Sequence, residues 1–71
     1  MPQDLLSRLG ERIRKLRKKR GWTQVEMAEK VGLDRSFLAD VERGKRNISI
    51  LNLDAIASGL NISLSQLFAR L

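Results

Sequence analysis

Apolar positions along the chain recur three and four residues apart, and no stretch alternates with the period of two that marks a half-buried strand. Leu5, Leu6, Leu9, Ile13 and Leu16 form one stripe and predict a helix from about Asp4 to Lys19, ended by Gly21. The last turn of that helix is strongly cationic, which suits the negative end of the helix dipole. Thr23-Gln24-Val25-Glu26 has the spacing of a capping box, in which the Thr hydroxyl and the Glu carboxylate each satisfy an orphan amide. Trp22 before the cap and Met27 four positions into the helix are placed to form a hydrophobic staple. Met27, Ala28 and Val31 face inward, and Gly32 stops this second helix after two turns. Leu33-Asp34 makes the next turn, with Asp34 as N-cap of a third helix that runs to about Arg43 and ends at Gly44. Leu38 and Val41 share its inner face, flanked by Phe37 and Glu42. Its opposite face carries Ser36, Ala39, Asp40 and Arg43, with Arg35 at the edge. Lys45-Arg46-Asn47 is a short basic loop. Ser49 caps a fourth helix whose stripe is Ile50, Leu53, Ile56, Ala57 and Leu60, with Asn61 as its left-handed end. Ser63-Leu64-Ser65-Gln66 is a second capping box and opens a fifth helix that carries Leu64, Leu67 and Phe68.

Five short helices in 71 residues make an all-α bundle of one domain, and a core this small is marginal. Small folds add disulfides, a metal or a partner chain. With no Cys and no His, disulfide staples and the usual zinc sites are excluded, which leaves oligomerisation. Absence of Cys also fits a reducing compartment. No apolar run approaches the roughly 20 residues of a membrane span. The start MPQDLLSR lacks the basic lead and apolar stretch of a secretory signal, so the expectation is a soluble, intracellular protein. An enzyme is not expected, because there is no glycine-rich phosphate loop and no carboxylate pair with a plausible pocket. No catalytic residue, cofactor, metal or small-molecule ligand is expected, and the span leaves no room for a ligand domain.

The net charge is +6, from 14 Lys+Arg against 8 Asp+Glu, and it predicts a polyanionic partner or an anionic surface. Arg12, Arg14, Lys15, Arg17, Lys18, Lys19 and Arg20 crowd the first helix. This cluster admits three readings: a membrane-surface helix, a nucleic-acid footprint or a solvated face. The capped helices that follow argue for a globular protein and so against the membrane. Two short helices joined by a tight glycine turn are the core of a helix-turn-helix, here at about residues 23–43. Ala28 lets the third helix approach the second, and Gly32 accepts the turn conformation that a β-carbon penalises. The third helix then presents a polar face to the major groove.

LRKKRGWTQVEMAEKVGLDRSFLADVERGK and the tail SILNLDAIASGLNISLSQLF resemble the phage repressor/Cro superfamily of helix-turn-helix regulators, often called the Xre family. The resemblance rests on the Thr23-Gln24 start, Ala28, Gly32, the exit Glu42-Arg43-Gly44-Lys45 and the junction Leu60-Asn61-Ile62-Ser63, and it runs from Leu9 to Phe68. LDRSFLADVERGKRNISI is similar to controller proteins of restriction–modification systems within that family. The resemblance implies a compact five-helix bundle, a lambda-repressor-like DNA-binding domain over residues 1–71, and a transcriptional regulator that binds specific double-stranded DNA. It implies that Thr23 and Gln24 meet a phosphate, and that Arg35, Ser36 and Asp40 face base edges with Ala39 beside a thymine methyl. Phe37, Arg43, Lys45, Arg46 and Asn47 would lie near the backbone. Arg17 is similar to a family arginine that pairs with the glutamate at the end of the third helix, here Glu42. Residues 1–8 precede the matching region. Asp40 departs from it, being an acid where many relatives carry a neutral or basic side chain.

The chemistry of the residues has its own reading of each. Arg35 can reach a guanine O6/N7 pair or turn to a nearby acid. Asp40 needs a cytosine amino donor or a cationic neighbour such as Arg43. Amides at the start of the second helix, with Gln24, suit a phosphate. Leu51, Leu64, Phe68 and Leu71 are more apolar groups than a terminal helix needs to cover a small core. They are expected to form a two-fold interface within a dimerisation element at about residues 49–71. A homodimer places its recognition helices about 34 Å apart, so the operator should be near-palindromic. A competing reading has the apolar C-terminal helix hold a protein partner instead.

Overall fold

The computed structural model describes residues 4–71; the expected domain span of 1–71 also takes in residues 1–3, which lie outside the described residues. Five helices follow in chain order: α1 Leu5–Lys19, α2 Gln24–Val31, α3 Arg35–Glu42, α4 Ile50–Gly59 and α5 Leu64–Leu67. Each begins at a residue whose side chain takes over an orphan amide. Asp4 accepts from the Ser7 N–H at 2.8 Å. In the Thr23 box, Oγ1 accepts from the Glu26 N–H at 3.1 Å and Glu26 Oε1 from the Thr23 N–H at 2.8 Å. Asp34 accepts from the amides of Ser36 and Phe37, Ser49 from that of Asn52, and Ser63 and Gln66 repeat the reciprocal box at α5. Gly32 closes α2 at φ 74°, a left-handed conformation that lets α3 turn away within two residues.

The helices pack α1 on α3, α2 on α3 and α4, and α4 on α5. Ile13, Met27, Leu38, Ile56, Leu60 and Leu67 are fully buried where these faces meet. Their inward directions follow the 3.6-residue period. At the α1–α3 crossing Gly10 is buried, and a β-carbon there would collide with the Val41 carbonyl oxygen and come within 2.6 Å of that of Glu42. The end of α3 therefore rests directly on the backbone of α1.

Two stripe members depart from the expected pattern. Leu5 and Ile50 are exposed, because each opens its helix at the rim of the bundle, where no neighbouring element covers it. Most of the basic run of α1 is exposed, but some arginines of the helix are bound within the fold. Arg12 donates to the carbonyls of Gln66 at 2.8 Å and Leu67 at 3.3 Å, Arg8 to that of Leu71 at 2.5 Å, and Arg20 to that of Leu60. Three arginines of one helix thus occupy the carbonyl ends of α4 and α5, where the helix dipole favours a cation.

Candidate nucleic-acid interface

The site is built on the α2–α3 corner and on the loop that leaves α3. At the start of α2 the first amides, those of Gln24 and Val25, have no acceptor within their own helix. The dipole there favours an anion. Gln24 stands beside them, half-buried, and its Nε2 donates to Glu42 Oε1 at 3.1 Å. Glu42 is simultaneously bound by Arg17, through Nε at 2.8 Å and Nη2 at 3.1 Å. Arg17 spends a further donor, Nη1, on the Trp22 carbonyl at 2.8 Å. The Arg17 and Glu42 side chains are only 10% and 3% exposed, and a buried pair of this kind holds only when its remaining donors and acceptors are used. Here they are: no buried side-chain N or O among the described residues lacks a partner.

Arg35 and Ser36 are exposed on the first turn of α3, the end that a helix directs into a groove. Among the described residues Arg35 takes part in no ion pair. Ala39, expected on the same outward face, is instead 8% exposed. The short helix lies low against its neighbours, and this second-turn methyl leaves almost no surface for a thymine methyl. Asp40 has the cationic neighbours that its position demands. Oδ1 lies 2.5 Å from Arg43 Nη2, and Oδ2 lies 3.9 Å from Arg46 Nε.

Arg43 caps α3, and the chain then passes through Gly44 into Lys45, Arg46 and Asn47, all three exposed. Phe37 is half-buried against the core, and the Arg46 guanidinium lies over its ring at 5.1 Å. Thr23 is exposed at the opposite end of the corner. The ties from Gln24 to Glu42 and from Arg46 to Phe37 went unread in the sequence. The first joins side chains 18 residues apart, and the second depends on the path of the loop after Gly44.

Of the residues expected at a two-fold interface, Leu51 is 77% exposed and Phe68 also presents surface. Leu64 and Leu71 are half-buried against the chain's own core, because α5 is a single turn and lays its apolar side across α4. Ile50, at 62% exposure, adjoins Leu51 and supplies apolar surface, although its place in the α4 stripe predicts it inward.

The profile of the helix-turn-helix family matches residues 13–67. The control protein C.MunI of Mycoplasma sp is 43% identical over 67 residues, covering 93% of this chain and 90% of that protein. The crystal structure of the restriction-modification controller protein C.AhdI from Aeromonas hydrophila superposes with a TM-score of 0.86 at 43% identity, over 89% of this chain and 96% of that one. The controller protein C.Esp1396I, solved as a tetramer in complex with its natural 35 base-pair operator, superposes with a TM-score of 0.85 at 38% identity, over 93% and 87% of the two chains.

Proposed function

The chain belongs to the helix-turn-helix family, and from that membership we propose that it is a transcriptional regulator that binds specific double-stranded DNA as a homodimer. It acts by binding and catalyses nothing. Its place of action is the cytoplasm, on the nucleoid. The domain proper spans the whole chain, with the reading unit at about residues 23–43 and the dimerisation element at about residues 49–71.

The observation that carries this reading is the corner itself. Unpaired Arg35 and exposed Ser36 open α3, while the free amides of α2 and the cations after Gly44 lie on either side of it. Arg35 and Ser36 read base edges, Arg35 by its two-pronged match to guanine. Thr23 and Gln24 at one end, and Phe37, Arg43, Lys45, Arg46 and Asn47 at the other, hold the sugar-phosphate backbone and fix the register without reading sequence. Exposed Leu51 and Phe68, extended by Ile50, make the two-fold contact, with Leu64 and Leu71 at its edge. An interface of exposed apolar groups is the means by which so small a core gains stability. The two α3 helices then lie about 34 Å apart and read a near-palindrome. Where the operator sits relative to a promoter decides whether the outcome is repression or activation.

Selection from a random duplex pool at near-physiological salt tests this. A near-palindromic motif that outcompetes its scrambled version by about a thousandfold or more is expected. Weak, salt-sensitive binding with no motif would refute the reading and leave only electrostatic attraction.

A further inference from the structure

An acid on a helix that faces a polyanion calls for an explanation, and Asp40 is partly exposed on that helix. Its two carboxylate oxygens go to different guanidiniums, Oδ1 to Arg43 and Oδ2 to Arg46. Those arginines lie on either side of the left-handed turn at Gly44. The main chain of the same residue helps to set that turn, because the Asp40 carbonyl accepts the Lys45 N–H at 2.9 Å. Arg46 has a second restraint in the Phe37 ring beneath it. Two cations on either side of one turn repel, and without a shared counter-ion they would splay. Each guanidinium carries five N–H donors in a planar fork, so a contact made mainly through one nitrogen leaves donors for a phosphate. Arg43 approaches Asp40 through Nη2 and Arg46 through Nε, and both side chains remain more than half exposed.

We infer that Asp40 is a positioning residue that holds Arg43 and Arg46 side by side as a preformed two-armed clamp for the DNA phosphate backbone. The inference rests on the DNA-binding reading above and assigns Asp40 a role within it other than base recognition. It has a consequence of unusual sign. Removing a negative charge beside phosphates by itself tightens binding, whereas removing the residue that orders two arginines loosens it. The loosening is the same for every sequence, since phosphate contacts carry no sequence information.

The test compares five proteins: wild type, Asp40→Asn, Asp40→Ala, the pair Arg43→Ala with Arg46→Ala, and that pair combined with Asp40→Asn. Each is titrated with the duplex selected by the wild type and with its scrambled version. Asp40→Asn is expected to weaken binding to both duplexes by a common factor of about fivefold, the upper size of exposed ion-pair effects. In the background lacking both arginines the same substitution is expected to tighten binding or leave it unchanged. Asp40→Ala, in a better helix former, should behave as Asp40→Asn does. In the free protein, the side-chain Nε–H signals of Arg43 and Arg46 are expected to be sharp in the wild type and to broaden in Asp40→Asn. Tighter binding of Asp40→Asn in both backgrounds would show that Asp40 only repels DNA. A preference altered at a single base pair would show that it reads a base, and unchanged arginine signals would show that it orders nothing. Each of these overturns the inference while the wild type still selects its site. A wild type that binds neither duplex would instead remove the DNA-binding reading, and the clamp with it.

Discussion

Arg17 and Glu42, 25 residues apart, meet in a two-pronged ion pair that ties the last turn of α1 to the last residue of α3. Gln24 joins the same carboxylate from the start of α2. One buried glutamate therefore fixes the angle between the helix proposed to grip phosphate and the helix proposed to read bases.

Loss of either partner leaves an uncompensated charge in the interior. Arg17→Met and Glu42→Leu are each expected to cost about 3–5 kcal/mol in urea unfolding. Domains of this kind hold only about 5–15 kcal/mol in total, so either variant sits near the edge of folding. The double variant, which removes both charges, is expected to recover most of that loss. If it is as unstable as the sum of the singles, the two residues are not acting as a pair.

Arg35 and Lys45 are expected to differ in kind. Arg35→Ala should cost about 1–3 kcal/mol on the selected duplex and relax the preference at one base position. Lys45→Ala should weaken selected and scrambled duplexes alike and lower the slope of log affinity against log salt by about one. Competition titrations at several salt concentrations separate the two.

Leu51 offers the most exposed large apolar side chain of the described residues. Leu51→Glu is expected to leave the helical circular dichroism and the folded monomer intact and to shift sedimentation toward that monomer. Apparent affinity for a palindromic duplex should fall with it, because the second half-site no longer binds as a tethered copy. Leu67→Ala is the contrast, since Leu67 is fully buried and its loss should cost about 2–5 kcal/mol of folding stability.

The Asp4 carboxyl is held below its ordinary value of 3.8, first by the backbone hydrogen bond from Ser7 and also by that residue's side chain, Arg8 and Lys45. A value lower in the folded state than in the unfolded one means that the cap contributes fully above the ordinary carboxylate range. Its contribution disappears as pH falls through the lowered value. Asp4→Asn keeps an N-cap acceptor but has no proton to gain. Thermal unfolding followed from pH 6 downward, about where carboxylates are fully ionised, is expected to fall less steeply for Asp4→Asn than for wild type.

The sequence was most legible where structure is local. The boxes at Thr23 and Ser63, the caps at Asp34 and Ser49, and the left-handed ends at Gly32 and Asn61 each depend on residues within a turn of one another. The positions of Arg35 and Ser36 followed from the same counting. What stayed hidden depends on approach between distant segments. Gly10 gives no local sign that a carbonyl will rest on it. Periodicity placed Ala39 outward and Ile50 inward, but it cannot tell how low a helix lies or where a bundle ends. Asp40 was read with two possible partners, DNA or a neighbouring cation, and the second arginine came from a loop whose path no pattern specifies.

The arginines of α1 make the closing of the fold wait for the end of the chain. Arg8, Arg12 and Arg20 leave the ribosome early, yet the carbonyls that receive them lie 40 to 63 residues further along the chain. Until those residues emerge, Arg8, Arg12 and Arg20 lack their carbonyl partners, and the first helix is joined to the end of the chain only when the final turns dock. With only 8 residues, α3 is too short to hold as a helix alone, so the element proposed to read bases takes its final form only once the fold has closed.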